Sequence, residues 1–200
     1  MMPISSPATP IGRRELPLRL VLAACGRRRE LTALMDSAAP ALAAALELPL
    51  RPLDNPDAPI QCLEGLLTPP EAADAGWLAP LGLDPGLPLP SAGCWAEALG
   101  AWRQPCLLLL RGEELDTGRP AAATALLRQW GVPLLGLVQW GRPWCPSERR
   151  GDGLPWLGWL PRPDDSEDAS RERDQEEGPG QLDARLGPLL RRRLARLDLG

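Results

Sequence analysis

Histidine is absent from the 200-residue chain, and because all 22 of its basic residues are arginine, lysine is absent as well. These side chains are the usual Schiff-base nucleophile, general base near neutral pH and phosphate-binding ammonium group, and histidine is a frequent metal ligand. Ser-His-Asp and Cys-His arrangements are therefore excluded, as are histidine-dependent zinc sites and a phosphate loop built on lysine. The composition predicts no catalytic residue and no metal site, and it favours a binding protein over an enzyme.

Phenylalanine and tyrosine are absent too, and most apolar residues are leucine or alanine. The apolar fraction of 44% is enough for a hydrophobic core, and 200 residues usually form one domain. No run approaches the roughly 20 apolar residues of a membrane span, and the N-terminal residues lack the apolar stretch of a secretory signal. The net charge of −4 gives no reason to expect nucleic acid as a partner.

The five cysteines show no Cys-x-x-Cys spacing, and pairing them would leave one over. They lie in apolar surroundings, which is typical of reduced thiols in a core rather than of a disulfide framework. Together with the missing signal and span, this predicts a cytoplasmic protein.

Short apolar runs bounded by glycine or proline alternate with segments of helical periodicity. Strands are predicted over residues 16–26, 48–54, 60–70, 105–111, 132–140 and 154–161. Helices are predicted over residues 29–48, 91–104, 119–131 and 181–199. We expect Pro40 to kink or divide the first helix, Ser91 to cap the second, and residues 69–93 to form a loop with at most one helical turn.

This alternation predicts an α/β fold, a three-layer sandwich in which helices cover both faces of a mainly parallel sheet. Composition divides the chain into a disordered leader (1–15), a single α/β domain (16–161), a charged mobile linker (162–180) and a C-terminal amphipathic helix (181–200). In such sheets ligands bind at the carboxyl ends of the strands. The loops expected there are Cys25–Glu30, Thr68–Pro70, Arg111–Arg119, Gln139–Asp152 and Pro161–Asp165.

Two stretches carry a resemblance to a known family: "WAEALGAWRQPCLLLLRGEELDTGRPAAATALLRQWGVPLLGLVQWGRPW" and "GLPWLGWLP". Over about residues 90–161 they resemble the C-terminal half of dethiobiotin synthetase, a P-loop ATPase, in the order of helices, strand-initial prolines and turn glycines. The resemblance implies a P-loop NTPase-like topology. It also implies a homodimer, and association with another protein is a further expectation for a binding or assembly role.

The working residues of that family are not retained. Its phosphate loop closes in Gly-Lys-Thr, whereas "ACGRRRELT" keeps only Gly26 and Thr32. The family's "EGAGG" stretch is replaced by "EGLLTPP", which keeps Glu64 and Gly65, and Trp140 stands where the family has an adenine-reading asparagine. The resemblance therefore implies a degenerate active site, with ATP and Mg²⁺ as cofactors only if the family activity is retained.

Several residues have two interpretations. Gly26, Arg27, Arg28, Arg29 and Thr32 form either an anion or nucleotide site at a helix N-terminus or a solvated charged turn.

One loop contains three acidic residues, Glu113, Glu114 and Asp116. They either hold Mg²⁺ or are ordinary surface acids, and we favour the second interpretation. Cys25 is either a thiol activated by nearby arginine or a buried structural one.

Trp140 and Trp144 either stack on a base or a partner or fill the top of the core. Trp156 and Trp159 are expected in the core. The C-terminal "RRRLARL" helix is expected to dock its leucines on the sheet and leave its arginines in water, rather than to bind a membrane or a partner groove.

These features predict a degenerate dethiobiotin-synthetase-like domain with ATP-dependent activity lost or reduced, acting in binding or assembly. One alternative is a divergent ATP-dependent carboxylase or ligase related to biotin synthesis, in which Arg27–Arg29 replace the lysine. Another is a scaffold module that uses the tryptophan loop and the last helix.

Overall fold

A computed structural model describes residues 17–67, 76–90, 93–142, 144–162, 182 and 185–197. The predicted leader (1–15), and the predicted linker (162–180) apart from residue 162, lie outside these residues. The described part contains five strands and six α-helices. In chain order they are β1 (Arg19–Ala23), α1 (Arg28–Leu46), α2 (Pro59–Leu67), β2 (Trp77–Pro80), α3 (Trp95–Ala101), β3 (Cys106–Arg111), α4 (Arg119–Gln129), β4 (Leu134–Trp140), α5 (Pro146–Gly151), β5 (Trp156–Leu160) and α6 (Leu186–Leu197).

The five strands form one parallel sheet in the order β2-β1-β3-β4-β5. The strand "CLLLLR", a continuous apolar run that ends in arginine, lies at its centre as β3. Strand order reverses between β1 and β3, and ligands bind near such a switch point in doubly wound sheets.

Two apolar layers cover the sheet, which confirms the predicted three-layer α/β fold. The first face is covered by α1 and α6, and the second by α2, α3 and α4. Side chains of β3 alternate between them: Leu107 and Leu109 enter the first face, while Leu108 and Leu110 enter the second. Burial on both faces explains why this strand is continuously apolar.

Helix α1 runs without interruption through Pro40, so the predicted division of this helix is wrong. Buried residues occur at helical spacing before and after the proline, including Leu34, Ala38 and Leu42. Burying one leucine stabilises a fold by about 1.5–3 kcal/mol, which offsets the roughly 3 kcal/mol that a proline costs inside a helix. Pro40 itself is exposed, so its ring does not enter the core.

The segment between α1 and α3 differs most from the prediction. Residues 60–67 are helical rather than a strand, since Pro59 begins α2 and Cys62, Leu63 and Leu66 form a buried helical stripe. Residues 77–80, predicted within a loop, form β2 beside β1. The predicted strand at 48–54 contributes only an isolated bridge, between Leu50 and Leu78, because its prolines lack the amide donors of a ladder.

Helix α3 begins after Cys94, which is its N-cap residue, and not at Ser91, which lies outside the described residues. Its Trp95 side chain is fully buried and donates an indole hydrogen bond to the Pro56 carbonyl at 2.7 Å. This contact fixes the loop that precedes α2 against the second face.

Helix α6 packs on the first face through Leu186, Leu190 and Leu194, as the docking prediction expects. One arginine departs from that prediction. Arg193 is only partly exposed and donates from Nη1 to the Leu135 carbonyl at 2.6 Å, at the position where the β3–β4 register shifts. A carbonyl left out of the ladder by a bulge needs another donor, which this guanidinium supplies.

None of the helices in the described part of the chain is both long enough and apolar enough to cross a membrane.

Candidate functional site

The candidate site is the carboxyl edge of the sheet, meaning the residues that follow each strand. The turn after β1 places Gly26 there, and β3 and β4 end at Arg111 and Trp140. β5 is followed by Arg162, and β2 by the turn that contains Asp84. The predicted loop Thr68–Pro70 follows helix α2 in the chain rather than a strand, and it lies outside the described residues.

The turn between β1 and α1 is closed by a carboxylate. The Gly26 amide donates to Asp84 Oδ2 at 2.8 Å, and Asp84 Oδ1 accepts from the Gly86 amide at 2.9 Å. Gly26 has a φ of 153°, a conformation that glycine adopts readily. Backbone amides at a strand-helix turn are typical anion ligands. Here the anion is an aspartate of the chain itself.

The arginines of this turn are distributed rather than convergent. Arg28 donates from Nη2 to both carboxylate oxygens of Asp57, at 2.9 and 3.0 Å. Arg27 is the N-cap residue and makes no side-chain cap bond, and Arg29 is exposed. Thr32 Oγ1 donates to the Arg28 carbonyl within α1, at 3.1 Å. Three of the five groups of the predicted anion site, Gly26, Arg28 and Thr32, thus make hydrogen bonds within the protein, and the site stays a prediction.

Glu114 is the centre of an ion-pair cluster. It is 7% exposed, and its Oε1 accepts from Arg111 Nη2 at 2.9 Å and from Arg119 Nη1 at 2.7 Å. Its Oε2 accepts the Arg111 backbone amide at 3.0 Å. Arg111 Nη2 also reaches Glu30 at 3.4 Å. Burial lowers the pKa of Arg111, but the hydrogen bond and charge of Glu114 outweigh it, so the net shift is upward.

The other two acids of this loop point to different arginines. Asp116 pairs with Arg142, whose hydrogen bond and charge lower the pKa of the aspartate. Glu113 pairs with Arg162 at 2.6 Å; burial raises its pKa, but hydrogen bonds from its own amide and from Arg162 prevail and lower it. Among the residues that the structure describes, no three metal-ligating side chains cluster, and these carboxylates are engaged by guanidiniums instead.

A cavity of about 550 Å³ opens on the first-face side of the carboxyl edge. It is bounded by α1, by the ends of β3 and β4, and by Arg162, which lies two residues after β5. Its lining residues are Glu30, Ala33, Leu34, Ser37, Arg111, Trp140 and Arg162.

A smaller cavity of about 290 Å³ lies on the opposite side of the β1–α1 turn, beside Asp84 and Arg119.

The two tryptophans predicted at this edge lie in different surroundings. Trp140 is 3% exposed, packs in the first-face core and borders the larger cavity. Trp144 packs edge-to-face on Trp156, with ring centroids 6.1 Å apart, and Arg149 lies over the Trp156 ring at 5.4 Å. Trp140 therefore fills the top of the core, while Trp144 belongs to a separate aromatic cluster.

The surroundings of Cys25 disfavour its thiolate form. Burial, together with the charges of Asp84 and Glu114, raises its pKa to about 12, although Arg119 opposes the shift. The opposite shift occurs at Cys145, where hydrogen bonds led by that of the Ser147 hydroxyl lower the thiol pKa. Of the two interpretations of Cys25, these surroundings favour the structural thiol, with burial as the largest cause and the carboxylates of Asp84 and Glu114 adding to it.

Asp84 is a residue of the candidate site that the sequence does not single out. Its signal is the run "WLAPLGLDPG", a short apolar stretch followed by an Asp-Pro-Gly turn, within the segment predicted as a loop. A further departure from the resembled family concerns Glu64 and Gly65, which lie inside α2 instead of following a strand.

Neither models of protein families nor curated proteins match the chain. The resemblance to dethiobiotin synthetase accordingly stays a prediction.

Proposed function

We propose that this protein is a degenerate dethiobiotin-synthetase-like domain in which ATP-dependent activity is lost or reduced, and that it acts in binding or assembly through the loops of the carboxyl edge. The observation that carries the proposal is the hydrogen bond from the Gly26 amide to the Asp84 carboxylate. The amide that the resemblance assigns to phosphate already has an anionic partner. A nucleotide phosphate brought to this turn would meet the negative charge of Asp84.

The chemistry of the neighbouring groups supports the same proposal. The chain has no lysine to offset phosphate charge, and Arg28 is paired with Asp57. The Thr32 hydroxyl, at the position where the family holds Mg²⁺, donates a hydrogen bond to the Arg28 carbonyl. The lysine is thus missing, and the Gly26 amide and the Arg28 guanidinium are engaged by carboxylates of the chain.

The proposed location follows from the cysteines. All five thiols are free, which supports a reducing, cytoplasmic compartment. Trp102 and Trp130 stay 39% and 41% exposed at the ends of α3 and α4. Exposed tryptophans are frequent anchors of protein interfaces, so the proposed partner is a second copy or another protein and not a nucleic acid.

One observation favours the ligase alternative. Arg27 and Arg29 are exposed and make no side-chain ion pair with the residues that the structure describes. Two guanidiniums beside the first turn of α1 are suited to an anion. In this alternative they take over the charge of the missing lysine.

Calorimetric titration of the full chain with ATP and Mg²⁺ distinguishes the proposed function from the ligase alternative. We expect no saturable binding up to about 5 mM ATP, which corresponds to a binding free energy weaker than about −3 kcal/mol. Micromolar binding that disappears in an Arg27/Arg28/Arg29→Ala variant would establish the ligase alternative instead.

Replacing the blocking carboxylate tests the carrying observation directly. In Asp84→Ala the Gly26 amide loses its partner, so inorganic phosphate or ATP should gain weak affinity relative to the wild-type chain. Asp36→Ala, on the exposed side of α1, is the matched control and should bind no better than wild type.

Light scattering over a range of concentrations tests assembly, and a monomeric mass at every concentration contradicts the homodimer.

A further inference from the structure

The cavity of about 550 Å³ on the first-face side of the carboxyl edge has the composition of a small-molecule site. Its size is within the usual range of ligand pockets, about 300–1,000 Å³, and it lies where parallel α/β sheets bind ligands. Part of its lining is apolar: the Trp140 indole, Leu34 and Ala33. Trp140 is held in the core, so this wall is preformed.

The charged part of the lining favours an anion. Arg111 and Arg162 contribute two guanidiniums and Glu30 one carboxylate, and Arg162 Nη2 already donates to Glu113 at 2.6 Å. Arg111 directs Nε and Nη2 to Glu114, whereas its Nη1 makes no hydrogen bond to the described residues. A guanidinium donates from both amino groups, so a ligand carboxylate can bind at Nη1 without breaking the Glu114 pair.

Glu30 limits the charge of the ligand. Its bond to Arg111 is long, at 3.4 Å, and its side chain is 42% exposed. It nevertheless keeps one negative charge at the cavity, which repels a second negative charge on a ligand. A phosphate monoester carries nearly two charges at pH 7 to 8, whereas a carboxylate carries one.

We propose that this cavity binds a small organic monocarboxylate with a flat or aliphatic apolar body, the carboxylate at Arg111 and the body against Trp140. The inference rests on the proposed function, in which the domain binds ligands at its carboxyl edge without nucleotide chemistry. The ligand excludes water from the apolar lining of the cavity and adds a charge-assisted hydrogen bond at the rim.

Calorimetry on the full chain with four probes tests the ligand class. The probes are 2-naphthoate, its neutral amide 2-naphthamide, the dianionic naphthyl phosphate, and ATP with Mg²⁺. We expect saturable binding of 2-naphthoate and about ten-fold weaker binding of the amide and the phosphate ester. Equal affinity for the amide, or no naphthoate binding at about 10 mM, overturns the proposal.

Two variants on α1 locate the site. Ala33→Leu fills the cavity, and we expect it to weaken naphthoate binding about ten-fold. Ala44→Leu makes the same change at an exposed position of the same helix outside the cavity, and should leave the affinity unchanged. Leucine is a good helix former, so both variants should fold. Unchanged naphthoate binding in Ala33→Leu would overturn the assignment to this cavity.

Removing the charge of Glu30 tests the electrostatic argument. In Glu30→Gln we expect several-fold tighter naphthoate binding and a smaller preference for naphthoate over naphthyl phosphate. Weaker binding contradicts the assigned role of Glu30. The titration with ATP is independent, because ATP binding would refute the proposed loss of nucleotide binding. Naphthoate binding and its response to Ala33→Leu show whether this cavity is the binding site.

Discussion

Gly100, in the last turn of α3, lies directly against the backbone carbonyl of Trp130 at the end of α4, and a β-carbon on Gly100 would overlap that oxygen. Gly100→Ala should therefore force α3 and α4 apart and destabilise the fold by about 1–3 kcal/mol, the usual cost of overpacking. Urea denaturation measures the change. Gly65→Ala is the control, because nothing lies within 4 Å of its added β-carbon in α2. It should be stabilising by about 0.5–1 kcal/mol, and equal effects of the two changes would refute the packing argument.

The Asp84 carboxylate is expected to stabilise the fold as well as block the turn. Asp84→Asn places an amide donor where an oxygen now accepts from Gly26 or Gly86, so two donors face each other. We expect a loss of about 1–3 kcal/mol in the free energy of unfolding, measured by urea denaturation. Asp36→Asn, at an exposed position of α1, should change it by less than about 0.5 kcal/mol. An unchanged free energy of unfolding in Asp84→Asn would show that these hydrogen bonds do not stabilise the fold.

Glu113 and Glu114 are adjacent, yet substitution by glutamine should affect them unequally. Glu114 is 9% exposed at its side chain and accepts from Arg111 and Arg119, whereas Glu113 is 63% exposed. We expect Glu114→Gln to cost about 1–3 kcal/mol, even after allowing for the solvent exposure of its arginine partners. Glu113→Gln should cost less than about 1 kcal/mol. Thermal denaturation of both variants gives the comparison, and a reversed order would be incompatible with the burial of Glu114.

Acidification should remove the contribution of the exposed pairs. The pKa values of Glu113 and Asp116 are lowered in the folded chain, so their contribution is present above the unfolded values and is lost as pH falls through the folded ones. A Glu113→Gln/Asp116→Asn variant should therefore be less stable than wild type at pH 7, with the difference closing below about pH 4. Denaturation curves across this range decide it. A difference that stays constant with pH would contradict the direction of these shifts.

Thiol alkylation should distinguish the two cysteines of the carboxyl edge. With a pKa of about 12, only about one Cys25 thiol in ten thousand is ionised at pH 8, whereas the Cys145 pKa is lowered. Iodoacetamide should label Cys145 first, as read by mass spectrometry of peptides. Unfolding in guanidinium chloride should abolish the difference, since it removes the burial of Cys25. Faster labelling of Cys25 in the folded chain would reverse the conclusion.

The long, periodic elements were predictable from the sequence. β3 is a continuous apolar run, and α4 begins near a proline and ends beside a glycine, so both signals are local. The α2 helix and the β2 strand were not predictable, because a short apolar run fits a buried strand or a buried helix equally well until its neighbours are known. In α2 the partner is α3, which is supplied by a distant part of the chain.

The candidate site was predictable only in outline. The loops that carry Arg111 and Gly26 could be placed at strand ends, because parallel strands present their carboxyl ends at one edge. Which carboxylate each group meets could not be predicted. Asp84 reaches Gly26 across 58 positions of the chain, and among several acids nothing local selects Asp57 for Arg28.

The packing of α6 on the first face has a consequence for folding during synthesis. α1 leaves the ribosome early, but α6, which helps to cover the same face, follows it by more than a hundred residues. Until Leu194 has emerged, the leucines that will be buried between these helices remain exposed to solvent and to other chains. Nascent chains stalled before α6 should therefore depend on chaperones that shield apolar surface, and their release should coincide with completion of this last layer.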